Sequence, residues 1–122
     1  LSAARRAPVF RIYFQDAPSE PTLGFPSEDL LAERQVDLAV LCAATSSNVS
    51  NTPDSLLTVL KPREVLVTHW EDFFRPQTRP IQVSRGTNLA AFTRSLNRSL
   101  RGARWAVPLP QTAFSFREVE RE

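Results

Sequence analysis

The sequence predicts an α/β layered domain built on a partly parallel sheet. Three strand-like runs, at 10–14, 36–42 and 64–68, are rich in β-branched, aromatic or aliphatic residues. Helix-type stretches carrying leucine stripes separate them, so the two kinds of element alternate along the chain. A length of 122 residues suits one domain with a real core, and 42% hydrophobic with 23% charged residues is a globular composition.

Phe10-Arg11-Ile12-Tyr13-Phe14 reads as the first strand, ending at Gln15-Asp16-Ala17-Pro18. Pro18, Pro21, Gly24 and Pro26 make 17–26 a loop. Ser27 is placed to cap a short helix running to Glu33, ahead of two acidic residues and a Leu-Leu pair. Val36 to Cys42 is nearly continuous apolar sequence, the pattern of a strand covered on both faces. After a small, polar loop, Thr52 offers a cap and Pro53 a first helical position, with Leu56, Leu57, Val59 and Leu60 as the buried stripe and Pro62 as the stop. Glu64 to Thr68 forms the third strand, and His69, the only histidine, follows at once. Pro76, Pro80 and Gly86 mark 75–87 as a long loop with an extended piece at 81–83. Thr87 or Asn88 caps the clearest helix, in which Leu89, Phe92, Leu96 and Leu100 share one face and Gly102 supplies a left-handed end. Arg104–Val107 and Ala113–Phe116 read as short strands, and the charged tail 117–122 as frayed.

The formal charge of +2 gives no footing for nucleic acid by itself. Arg94, Arg98, Arg101 and Arg104 gather late in the chain and read first as a solvated helix face, without the aromatic interleaving of single-strand binders. Cys42 stands alone after an apolar run, so it reads as a buried, inert thiol, and the compartment stays open. No apolar run approaches the roughly 18 residues of a membrane span. The chain has no methionine and begins Leu1-Ser2-Ala3, which reads as a processed chain or a piece of something longer. The expectation is therefore no membrane and no nucleic-acid partner.

In α/β sheets, ligands bind outside the carboxyl ends of the strands. Asp16, the loop after Cys42, and His69 all fall there. If their strands are parallel, Asp16 and His69 leave the sheet on one edge, and a carboxylate with a neutral imidazole suits a divalent metal such as zinc. Read from the residues alone, the commoner roles are structural: a satisfied histidine and a turn-forming aspartate.

The run Lys61-Pro62-Arg63-Glu64-Val65-Leu66-Val67-Thr68-His69-Trp70-Glu71-Asp72-Phe73-Phe74 resembles the last metal-ligand motif of metallo-β-lactamase-fold hydrolases. Val36–Leu41 resembles the strand upstream of that motif, and Phe10–Asp16 the strand whose terminal aspartate bridges two metals. The resemblance covers about Val9 to Phe116. It implies the carboxyl-terminal half of an αββα sandwich, a mixed sheet with helices packed on it, as a single, partial domain over 1–122. It also implies a metal-dependent hydrolase holding one or two zinc ions, with His69 and Asp16 as ligands. Asp72 would be an outer-sphere residue or simply the start of a loop, and the loop reading is preferred. The histidine-rich cluster that is the family's main motif cannot be present in a chain with one histidine. The remaining ligands would come from a partner, the amino-terminal half of the fold or another chain, acting on a small-molecule substrate. The alternative is a non-catalytic binding or structural module that keeps the half-fold without a metal site. A half-fold is also expected to expose an apolar face and self-associate.

Overall fold

The chain's strand runs pair in the order in which they are made. The computed structural model describes residues 9–100 and 102–116, and within them the elements are β1 (Ile12–Phe14), α1 (Glu28–Glu33), β2 (Leu38–Cys42), α2 (Asp54–Leu60), β3 (Glu64–Thr68), α3 (Leu89–Ser99) and β4 (Arg104–Ala106). They form one four-stranded sheet in the order β1-β2-β3-β4, with every pairing parallel. The expected tail and the arginine at 101 lie outside the described residues.

This topology decides which face is covered. Right-handed crossovers that step always in one direction place every connecting helix on the same side of the sheet. The register sets Tyr13, Ala39, Val65 and Trp105 in one row across the strands, and Leu41 beside Val67 in the next. These side chains meet Leu56, Leu57 and Leu60 of α2 and Phe92 and Leu96 of α3 in the core, with Leu31 of α1 at its margin. The opposite row runs Phe14, Val40, Leu66, Ala106. Its middle is partly covered, since Leu38 and Cys42 beside it are buried, but Ile12 and Phe14 on the β1 edge are 59% and 62% exposed. The continuous apolar character of β2 thus reflects cover on both faces, which β1 lacks.

Several expectations are corrected. The sheet is wholly parallel among the described residues, not mixed, because Ala113–Phe116 forms no strand: Pro108 and Pro110 lack donors, and a turn from Thr112 N–H to Leu109 O diverts the chain. Helix α2 has no side-chain cap, and Pro53 itself occupies the cap position rather than the first helical one. Val59 is 38% exposed and does not belong to the buried stripe. Other termini match their residues. Ser27 Oγ accepts from Leu30 N–H at 3.4 Å, and Asn88 Oδ1 from Ala91 N–H at 3.0 Å. Lys61 ends α2 in a left-handed conformation ahead of Pro62, but α3 ends on Leu100 in an extended conformation, and the left-handed Gly102 lies two residues beyond that cap.

A charged cluster holds the amino-terminal ends of the strands. Asp37, just before β2, is 5% exposed. Its carboxylate accepts from Arg11 N–H at 2.7 Å and from Arg34 Nε at 3.1 Å, while Arg63 Nη1 lies 3.5 Å away. Arg11 precedes β1 and Arg63 precedes β3, so one carboxylate ties together the entries of three strands. Burial pushes the Asp37 carboxyl up, but the Arg11 hydrogen bond and the hydrogen bond and charge of Arg34, with the charge of Arg63, hold it below the ordinary carboxylate value.

Candidate functional site

The carboxyl-terminal edge of the sheet is built by extending the ladder one step past the strands. Gln15 N–H donates to Val40 O at 2.9 Å and Ala43 N–H to Thr68 O at 3.0 Å, while Thr68 Oγ donates to Leu41 O at 3.1 Å. These bonds fix Asp16 and His69 as the first free residues on the rim. Strands β1 and β3 are not neighbours. With β2 between them, their axes lie about 9.5 Å apart. Even so, His69 Nε2 stands 3.6 Å from Asp16 Oδ1, so the two side chains lean toward each other over the end of β2. Sequence reasoning placed them on one edge; the structure brings them together.

Two further features mark this rim. His69 has a φ of 52°, a left-handed conformation that a residue with a Cβ adopts at a cost and that turns the chain sharply off the strand. Thr45, in the loop after β2, is also left-handed, at 55°. That loop is tied to the segment beyond His69 by contacts from Thr45 N–H to Thr87 Oγ at 3.4 Å and Ser47 Oγ to Gly86 O at 3.5 Å. Trp70, next to His69, is anchored by its indole N–H on Pro108 O at 3.0 Å. The polar rim therefore has a packed base. No residue pattern in the sequence announces the left-handed turn at His69 or these loop-to-loop ties.

The pair is open to solvent, the His69 and Asp16 side chains being 46% and 81% exposed. Their separation is wider than a hydrogen bond. It is close to the roughly 3.4 Å that separates two ligands sitting about 2.0–2.2 Å from one tetrahedral ion. Donor types and spacing therefore fit zinc. The number of donors does not complete a site: among the described residues, no group of three or more His, Cys, Asp or Glu side chains comes together to hold a metal ion. Cys42 ends β2 beneath the pair but is buried. Burial pushes its thiol up, a backbone hydrogen bond at Ala44 pulls the other way, and the Asp16 charge adds to the rise. It is the buried thiol expected from its apolar run.

Asp72 serves the loop. Its Oδ1 accepts from Phe74 N–H at 3.1 Å, closing a tight turn. Of the late arginines, Arg98 pairs with Asp54 at 2.9 Å and Arg104 with Glu64, which spends their charge on holding α3 to α2 and β4 to β3. The Asp37 cluster was missed as a unit by sequence reasoning; an aspartate inside an otherwise apolar run, with Arg34 three residues before it, was the available signal. Comparison of the chain with family models, with curated proteins and with solved structures finds no match.

Proposed function

We propose that this chain is the carboxyl-terminal portion of a metallo-β-lactamase-type, metal-dependent hydrolase, in which Asp16 and His69 are two of the metal ligands. One observation carries the reading: a carboxylate oxygen and an imidazole nitrogen from strands two apart approach to 3.6 Å at the ligand-binding edge of a parallel sheet. A zinc ion there would lower the pKa of a bound water and polarise a carbonyl or phosphoryl group of a small-molecule substrate. The chain's own contribution is to orient two donors on a rigid rim, with the left-handed turn at His69 aiming the imidazole. The further ligands would come from an amino-terminal half or a partner chain. The bare β1 edge of the second sheet face supports such a partner, because parallel sheets are normally covered on both sides.

A second reading, a binding or structural module that retains the half-fold without a metal, is favoured by the absence of a third donor among the described residues. The lone histidine separates the two readings. With one imidazole in the chain, its Cε1 proton gives a single resonance in the Cε1 region of a proton–carbon NMR spectrum. Titration with zinc is expected to move that resonance in wild type, and Asp16→Asn is expected to weaken the response by at least about tenfold. A resonance that stays still at millimolar zinc selects the module, and one that moves equally in Asp16→Asn removes Asp16 as a ligand.

A further inference from the structure

The polypeptide leaving His69 folds back on itself. Asp72 N–H donates to Gln82 O at 2.7 Å, Ser84 N–H donates to Trp70 O at 2.9 Å, and Glu71 and Val83 bridge antiparallel. Beyond this ladder Arg75 spans the tip, its guanidinium donating to Pro80 O at 3.2 Å and to Gln82 Oε1 at 2.9 Å. Arg79 N–H closes a turn on Pro76 O at 2.9 Å. The tip is held in one shape by polar contacts, yet its apolar side chains face water: Phe73 is 68% exposed, Phe74 85%, Ile81 48% and Val83 41%. The two phenyl rings rest on each other, with centroids 4.4 Å apart. A preorganised hairpin that keeps four large apolar side chains in water marks a contact surface.

Charge gives an independent indication of the partner. From Phe73 to Phe116 the chain carries seven arginines and no acidic residue, a polarity hidden by the net +2. Arg98 and Arg104 are neutralised by acids of other elements. Arg79 and Arg85, on the hairpin, are exposed, and neither side chain has a hydrogen-bond or ion-pair partner among the described residues.

We infer that the 73–85 hairpin docks on an anionic lipid surface, with Phe73, Phe74 and Ile81 entering the boundary between headgroups and acyl chains and Arg79 and Arg85 meeting lipid phosphates. Aliphatic Ile81 and Val83 beside the aromatic pair favour a lipid interface over a nucleic acid, since they gain from hydrocarbon and give a base no face to stack on. The expectation of no membrane partner rested on the lack of a span. Among the described residues no helix is long and apolar enough to cross a membrane, and docking on a surface requires none.

Flotation of the chain with phosphatidylcholine vesicles, with and without phosphatidylserine, tests this. Wild type is expected to float with the phosphatidylserine vesicles and to be released by added salt. The double variant Phe73→Ser/Phe74→Ser is expected to bind at least about tenfold more weakly with an unchanged circular dichroism spectrum. Arg79→Gln and Arg85→Gln should each weaken binding to the phosphatidylserine vesicles about fivefold, and the two together should abolish the preference for them. Phe14→Ser, on the bare sheet edge, should bind as wild type does. The proposal is overturned if the chain stays off the vesicles, if the phenylalanine variant floats like wild type, if Phe14→Ser is the variant that loses binding, or if a single-stranded oligonucleotide is bound in preference to the vesicles. None of these readouts involves zinc, so the outcome leaves the metal proposal where it stands.

Discussion

The two edges of the sheet use charge in opposite ways. At the amino-terminal edge, Asp37 is almost wholly buried, and its carboxylate is surrounded by Arg11, Arg34 and Arg63 at hydrogen-bonding or ion-pairing distance. At the carboxyl-terminal edge, Asp16 and His69 stay in solvent, lie just too far apart for a hydrogen bond, and rest on a strained left-handed turn. Buried, fully partnered charge fixes geometry and has no capacity left for a ligand. Exposed charge held in place by its backbone alone adds little to stability and keeps its lone pairs free. The contrast separates a carboxylate that holds the fold from one left open to a ligand more sharply than residue type could.

That contrast can be broken at either end. The largest effect is expected from Asp37→Asn, which leaves the Arg34 and Arg63 guanidiniums and the Arg11 backbone N–H facing a neutral amide. It should destabilise the chain by about 3 kcal/mol in urea unfolding. A loss below about 0.5 kcal/mol would show that the cluster is an ornament of the surface. The same group sets the acid response. Its folded-state pKa lies below that of the unfolded chain, about 3.9, so its contribution is complete above that value and disappears as the pH falls through the folded-state value. Wild type should therefore lose stability on acidification more steeply than Asp37→Asn, and parallel profiles for the two would remove Asp37 as the cause. At the other edge, His69→Gly relieves the left-handed conformation and should raise stability by about 1 kcal/mol while removing the imidazole proposed as a zinc ligand. A destabilised glycine variant would mean that the histidine side chain supports the fold. The smallest effect is expected from Asp16→Asn, whose stability should stay within about 0.5 kcal/mol of wild type even as its zinc response falls. Sedimentation adds a test of the sheet's second face: the chain should self-associate through its bare β1 edge, and Ile12→Ser/Phe14→Ser should reduce this.

The alternation of elements was legible because each carries its own period or cap: the leucine stripe of α3, Ser27 before α1, the apolar runs of β2 and β3. The pairing of Asp16 with His69 was legible only as a shared edge, since the distance depends on how far each side chain leans across β2. The false strand at 113–116 came from trusting alternating aromatics over two prolines that deny the backbone its ladder. The cap of α2 was misplaced by one residue because Thr52-Pro53 meets the sequence rule for a cap and a first helical residue, whereas the helix begins one residue later, at Asp54. Of the way the chain doubles back between Trp70 and Ser84, only the extended piece at 81–83 was legible, because its ladder is made of main-chain bonds and no residue at its ends requires them.

A sheet whose strands lie side by side in the order of synthesis has a consequence for how it is made. Each new strand finds its partner already present as the one before it, so no strand has to wait for a distant segment to arrive. Growth from β1 toward β4 can follow the ribosome residue by residue. The first three strands can lock only once Arg63, the last of the cations to reach Asp37, and the β3 residues behind it have emerged. A chain arrested before Arg63 emerges should hold β1 and β2 only loosely, and one arrested once Thr68 has emerged should resist proteases up to the end of β3.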